Sequence, residues 1–149
     1  MNSKLNQALM LLAECRDSSN CINIPADVFP YLTRFMNLKQ EHFIVVSLDS
    51  MHHVIHVHDV AKGTVNNTIV HPREVFRPAI LDNAVAIIIA HNHPAGSDRA
   101  SLEDIKVTQR LRQAGKIIGI TVLDHVIITR SSFTSLLEVN KSLFEEDAI

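Results

Sequence analysis

Two histidines one residue apart, a Pro-Gly turn, and a serine followed three positions later by an aspartate share one stretch, HNHPAGSDRASLED, residues 91–104. Side chains on a strand alternate between faces, so His91 and His93 point the same way if the chain stays extended past Ala90. Pro94 and Gly96 then turn the chain back, and the first turn of the following helix brings Asp104 to face the histidines. Two neutral imidazole nitrogens and one carboxylate oxygen form a donor set that suits Zn²⁺. Three protein ligands leave a fourth position for water, the arrangement of a catalytic rather than a structural ion. Ser101-Leu102-Glu103-Asp104 also matches a helix-capping signature, so Ser101 and Asp104 have a second use in satisfying free backbone N–H groups.

The elements around this loop must hold it rigidly. AVAIIIA (84–90) is apolar on both faces, short and rich in isoleucine, which predicts a fully buried central strand ending where the loop begins. SLEDIKVTQRLRQAG reads as a helix started by Ser101 and stopped by Gly115, and GITVLDHVIIT (119–129) as the next strand. Upstream, HFIVVSL (42–48) and VIHVHDV (54–60) predict two paired strands, and TVNNTIV (64–70) a third. In HPREVFRPAILDN, Pro72 suits the first helical position, Glu74 the favourable end of the helix dipole, and Pro78 a local irregularity. Apolar residues at Leu5, Ala8, Leu9, Leu11 and Leu12, and a weaker pattern over Ala26–Leu38, predict a helical lead-in over residues 1–39, packed on a domain over 40–149. The order is that of one mixed α/β or α+β unit.

Composition narrows the function classes. The chain has 149 residues, 46% hydrophobic and 20% charged, an ordinary globular balance with one expected core. A net charge of -2 gives no general electrostatic reason to bind nucleic acid. Cys15 and Cys21, with five residues between them, match neither a redox pair nor closely spaced zinc ligands, which fits a reduced, cytoplasmic setting. ALMLLA (8–13) is too short for a signal-peptide core and AVAIIIA far too short for a bilayer span, so neither export nor a membrane segment is expected.

The spacing His91-x-His93, seven residues, Ser101, two residues, Asp104 resembles the motif of the JAMM (MPN-type) zinc metalloproteases. The wider text, HPREVFRPAILDNAVAIIIAHNHPAGS followed by TQRLRQAGKIIGITVLDHVII, is similar to the RadC-like branch of that family over about residues 40–138. The resemblance implies a mixed-sheet α/β sandwich, flanked by helices and related to the cytidine deaminase-like folds, with one Zn²⁺ on His91, His93 and Asp104. It also implies a glutamate at the start of an early strand; Glu41 matches that place and Glu74 competes for it. On this reading the glutamate is general base and then acid, Ser101 stabilises an oxyanion, and an amide bond in a peptide or protein is hydrolysed. No residue pattern names that substrate or sets an oligomeric state.

Two other function classes find less support in the residues. A zinc nucleobase deaminase needs H-x-E with P-C-x-x-C, and neither occurs. The RadC-like resemblance also implies a DNA-repair-associated accessory role, but the residues before position 40 hold no glycine hairpin or basic cluster, which argues against direct DNA binding. Among the remaining histidines, His52, His56 and His58 share a parity and could line one face and bind a metal, but they read rather as a solvated or groove-lining polar face, because no carboxylate or cysteine accompanies them at coordinating spacing. His125 reads either as a core histidine or as a partner standing behind a metal ligand.

Overall fold

A computed structural model describes residues 20–64 and 70–145. Strands β1 (His42–Leu48), β2 (Val54–Lys62), β3 (Ala86–Asn92), β4 (Thr121–Ile128) and β5 (Phe133–Ser135) form one sheet in the order β2-β1-β3-β4-β5. β1 runs antiparallel to β2 and β3, β3 runs parallel to β4, and β4 runs antiparallel to β5. Helices α1 (Pro72–Leu81), α2 (Leu102–Ile118) and the short α3 (Leu136–Val139) complete the described residues, together with 3-10 turns. The parallel β3–β4 pair requires a crossover, and α2 supplies it.

Both faces of the central strands are covered, which is why their sequences are almost continuously apolar. Phe43, Val45, Ile87 and Ile89 face one core with Val75 and Phe76 of α1 and Val107 and Leu111 of α2. Ile44, Val46, Ile88 and Ala90 face the other, with Val28, Leu32 and Phe35. Among the described residues, 22–38 thus pack against the sheet as 3-10 turns (Pro25–Tyr31 and Thr33–Phe35), where the apolar spacing over Ala26–Leu38 had suggested a helix. Pro30 explains the difference: it has no N–H to give and its ring crowds the preceding turn. The expected helix near residues 5–12 and most of the expected strand 64–70 lie outside the described residues.

β1 spans the residues expected for it, and the other described strands and helices that were expected form with shifted ends. β3 starts two residues later than its apolar run and continues through His91 and Asn92, because His91 pairs with Phe43 on one side and Ile127 on the other. Pro78 sits inside α1 without ending it. Among the described residues, no helix is long and apolar enough to cross a membrane.

Gly115 does not stop α2. The helix runs to Ile118 and ends on Gly119, whose φ of 87° is the left-handed cap. Gly115 is there for contact: an added Cβ would collide with the Ile120 carbonyl oxygen and press on the Phe76 ring. Gly119 meets nothing within 4 Å, so a side chain there costs only backbone strain. Gly115→Ala is therefore expected to lose about 1–3 kcal/mol through overpacking, and Gly119→Ala about 1 kcal/mol. Urea midpoints measure both, and a larger loss at Gly119 would contradict this packing.

Candidate metal centre

The centre is assembled from the end of β3, the loop after it and the first turn of α2. Its floor is apolar: the Phe43 ring stacks near His91, with centroids 6.3 Å apart, and meets the His125 ring edge-on at 5.8 Å. His91 and His125 are fully buried. His93 follows the last residue of β3, but its backbone N–H still donates to the Ile128 carbonyl, so the strand geometry carries on through it. That continuation makes the two imidazoles converge, with Nε2 atoms 2.7 Å apart. Asp104 completes the group: its Oδ1 lies 3.2 Å from His91 Nε2 and its Oδ2 3.5 Å from His93 Nε2.

Hydrogen-bond partners fix where the ring protons sit. The Thr108 hydroxyl donates to the Asp104 carbonyl oxygen at 2.6 Å, so at its 2.6 Å contact with His125 it must accept from Nδ1–H. His125 has a single ring proton, because complete burial pushes its pKa well below the ordinary value. Its Nε2 is therefore bare, and it accepts the His91 Nδ1–H at 2.7 Å. His93 Nδ1 faces the Ser97 carbonyl at 2.6 Å, and a carbonyl only accepts, so this nitrogen also carries the proton. In the neutral form of each ring, both inward Nε2 atoms therefore present lone pairs to one another.

Two lone pairs at that distance beside a carboxylate require a cation. Burial opposes ionisation of Asp104, but hydrogen bonding to His91 and His93 and the Ser101 N–H outweigh it and hold the carboxyl well below the usual range. Hydrogen bonding to Asp104 raises His93 against the effect of burial, and the Ser97 carbonyl and the charges of Asp104 and Glu41 add to the rise. A proton on His93 is the smallest cation that meets the demand, and a divalent metal is the other. For zinc bonds of about 2.0–2.1 Å, tetrahedral donors lie about 3.3 Å apart. The two carboxylate distances match this, and the imidazoles must part by about 0.6 Å. His91, His93 and Asp104 are thus a group able to hold a metal ion.

Beside the group lies a cleft of about 330 Å³, lined among others by Glu41, Thr64, His93, Arg99, Ser101 and Asp104. Glu41 reaches it from the start of β1, and the backbone there is clamped. Asn92 Oδ1 accepts the His42 N–H at 2.6 Å, Asn92 Nδ2 donates to the Gln40 carbonyl at 2.9 Å, and the Gly63 N–H donates to the Glu41 carbonyl. Glu74 does not line the cleft; it is exposed on α1 and lies 3.6 Å from Arg73. Ser101 caps α2: its hydroxyl oxygen accepts the Asp104 N–H, and its own N–H donates to Asp104 Oδ2 at 2.7 Å. Capping and proximity to the centre therefore hold together for both residues.

Sequence reasoning missed Asn92 and Thr108. Asn92 lay in plain view between the histidines, pointing to the opposite face, and Thr108 is one turn past Asp104. It also grouped His52 with His56 and His58, whereas His52 sits in the turn before β2 with a φ of 61°. The expected lack of a carboxylate near His56 and His58 is likewise corrected, since Asp82 hydrogen-bonds with both.

A family model for the RadC-like JAB domain matches residues 22–142. A UPF0758 protein of Staphylococcus aureus is 49% identical over 126 residues, covering 83% of this chain and 55% of its own length. A UPF0758 protein of Geobacter sulfurreducens is 40% identical over 138 residues, covering 92% of this chain and 58% of its own. The chain thus spans a little over half the length of these relatives. With the match running from the lead-in through β5, the chain belongs to the RadC-like JAB domain family.

Proposed function

We propose that this chain is a zinc-dependent hydrolase acting on an amide bond in a peptide or protein. The observation that carries the reading is the pair of Nε2 atoms gathered with the Asp104 carboxylate at the wall of a cleft that also holds Glu41. A zinc ion bound there would supply Lewis acidity, bringing the ionisation of water down towards about pH 7.

The chain's own groups do the rest. Glu41, held at the cleft by its clamped backbone, takes a proton from the attacking water and returns it to the departing amine. The Ser101 hydroxyl accepts from Asp104 N–H and keeps its own proton to donate to the oxygen on which charge develops, a kind of contact worth on the order of 10²–10³ in rate. Thr108 and His125 hold His91 in the one tautomer that turns a lone pair inward. Phe43 excludes water from behind the imidazoles.

His91→Ala and Asp104→Ala are expected to lose stoichiometric zinc while circular dichroism stays unchanged. Full zinc occupancy in both would remove these residues from the ligand set. A peptide-library screen with and without chelator identifies a cleavable sequence; against it, Glu41→Gln is expected to keep zinc and lose turnover.

Asn92→Ala tests the clamp. It is expected to leave zinc content intact and lower turnover by about 10²-fold, the cost of displacing a reacting group by an ångström or so. Unchanged turnover would mean that Glu41 needs no such support.

Thr108→Val keeps the shape of the residue and removes the hydroxyl. Zinc affinity is expected to fall about 10–100-fold, with Thr108→Ser restoring it. Equal affinities in all three proteins would show that the tautomer chain does not matter to binding.

A further inference from the structure

A second group of donors converges on the edge strand of the sheet, on residues the hydrolase reading does not use. His56 and His58 lie two apart on β2, opposite Ser47 and Val45 of β1, with ring centroids 5.6 Å apart. Asp82, the residue that ends α1, meets both: Oδ1 is 2.8 Å from His56 Nδ1, and Oδ2 is 2.6 Å from His58 Nε2. We propose that His56, His58 and Asp82 form a second binding site for a divalent transition-metal ion of the zinc class, separate from the His91, His93 and Asp104 centre and independent of the hydrolase reading.

Three observations carry this. The donor set is complete in itself, two imidazole nitrogens and one carboxylate within 4.8 Å of one another. Nitrogen donors favour zinc-like ions over magnesium or calcium, which take oxygen. The carboxylate is also held in place: its side chain is 10% exposed, and the Ser47 hydroxyl donates to Oδ2 at 2.5 Å. Ser47 itself is fully buried. A ligand oriented in this way by a rigid hydroxyl loses little freedom when an ion binds.

The third observation is the placement of the charge. Asp82 stands at the C-terminus of α1, where the helix contributes its own partial negative charge and a cation is favoured. The His56 and His58 rings and the Ser47 hydroxyl all converge on this one carboxyl group, which is fixed as the acceptor facing both imidazoles. One divalent ion replaces both imidazole protons that face it. The His56 side chain is 65% exposed, which leaves water free to fill the remaining coordination positions. An ion there clips the edge strand β2 to α1, joining residues 26 apart in sequence.

The arrangement repeats the device of the main centre: two histidines at strand spacing, an aspartate at a helix end, and a hydroxyl that fixes one of the three. The difference is exposure, so weaker binding than at the buried centre is expected.

Metal-depleted chain titrated with Zn²⁺ at neutral pH, in competition with a chromophoric chelator, tests the proposal. Two equivalents per chain are expected. His58→Ala and Asp82→Asn should each abolish the weaker one, and Ser47→Ala should weaken it about tenfold. His93→Ala should remove the other equivalent alone. His56→Ala, at an exposed position, gives a variant in which folding is not at risk, and circular dichroism monitors the rest. A single equivalent that is lost in His93→Ala and kept in His58→Ala would overturn the proposal, as would two equivalents that His56→Ala, His58→Ala and Asp82→Asn leave unchanged. A single equivalent lost in His58→Ala and kept in His93→Ala would uphold this site and count against the hydrolase reading instead.

Discussion

The hydrogen bond from His91 Nδ1 to His125 Nε2 is the contact on which the centre turns. Through it, a run of neutral donors reaches from the Asp104 carbonyl by way of Thr108 and His125 to the inner face of His91. Its direction is forced at one end by a carbonyl that can only accept. Asp104 is both the anchor of that run and the carboxylate facing its far end, so the first turn of α2 sets the ionic and the tautomeric state of the group together. Reversing any one bond would put a proton where a metal ion would sit.

The scaffold makes this possible because it leaves the imidazoles no alternative. β3 is the middle strand of the sheet, paired on both sides up to His91. Its inward residues pass without interruption from Ile87 and Ile89 to His91, so the polar group continues a buried apolar row. The opposite face is used as well: Asn92 turns away from the histidines and grips the backbone on both sides of Glu41. One strand end thus places donors on one face and steadies a carboxylate through the other. Asp124 shows the same economy on β4, where it accepts the Ser135 hydroxyl and the Leu137 N–H and so docks α3 while its neighbour His125 faces the centre.

Much of this was legible in the residues because it is local. HFIVVSL gave β1 with its observed ends, since both faces are buried and the pattern is unbroken. Ser101 announced the start of α2, and the His-x-His spacing needed only an extended strand. Features set by distant contacts were hidden. Asn92 acts on residues about 50 positions away, Thr108 meets His125 across 17, and Asp82 meets His58 across 24. Gly115 was misread as a helix stop because a glycine required by close packing against Ile120 looks the same in sequence as one required by a left-handed turn. In the lead-in, the steric effect of Pro30 prevailed over the apolar periodicity that had suggested a helix.

The central claim is that His91 and His93 both turn unprotonated Nε2 atoms inward. Imidazole ¹⁵N resonances of the zinc-loaded chain report this directly through their couplings to ring protons. The expected result is Nδ1–H on His91, His93 and His125, with the Nε2 signals of the first two displaced by the metal. A proton on Nε2 of either His91 or His93 in the presence of stoichiometric zinc would contradict the account.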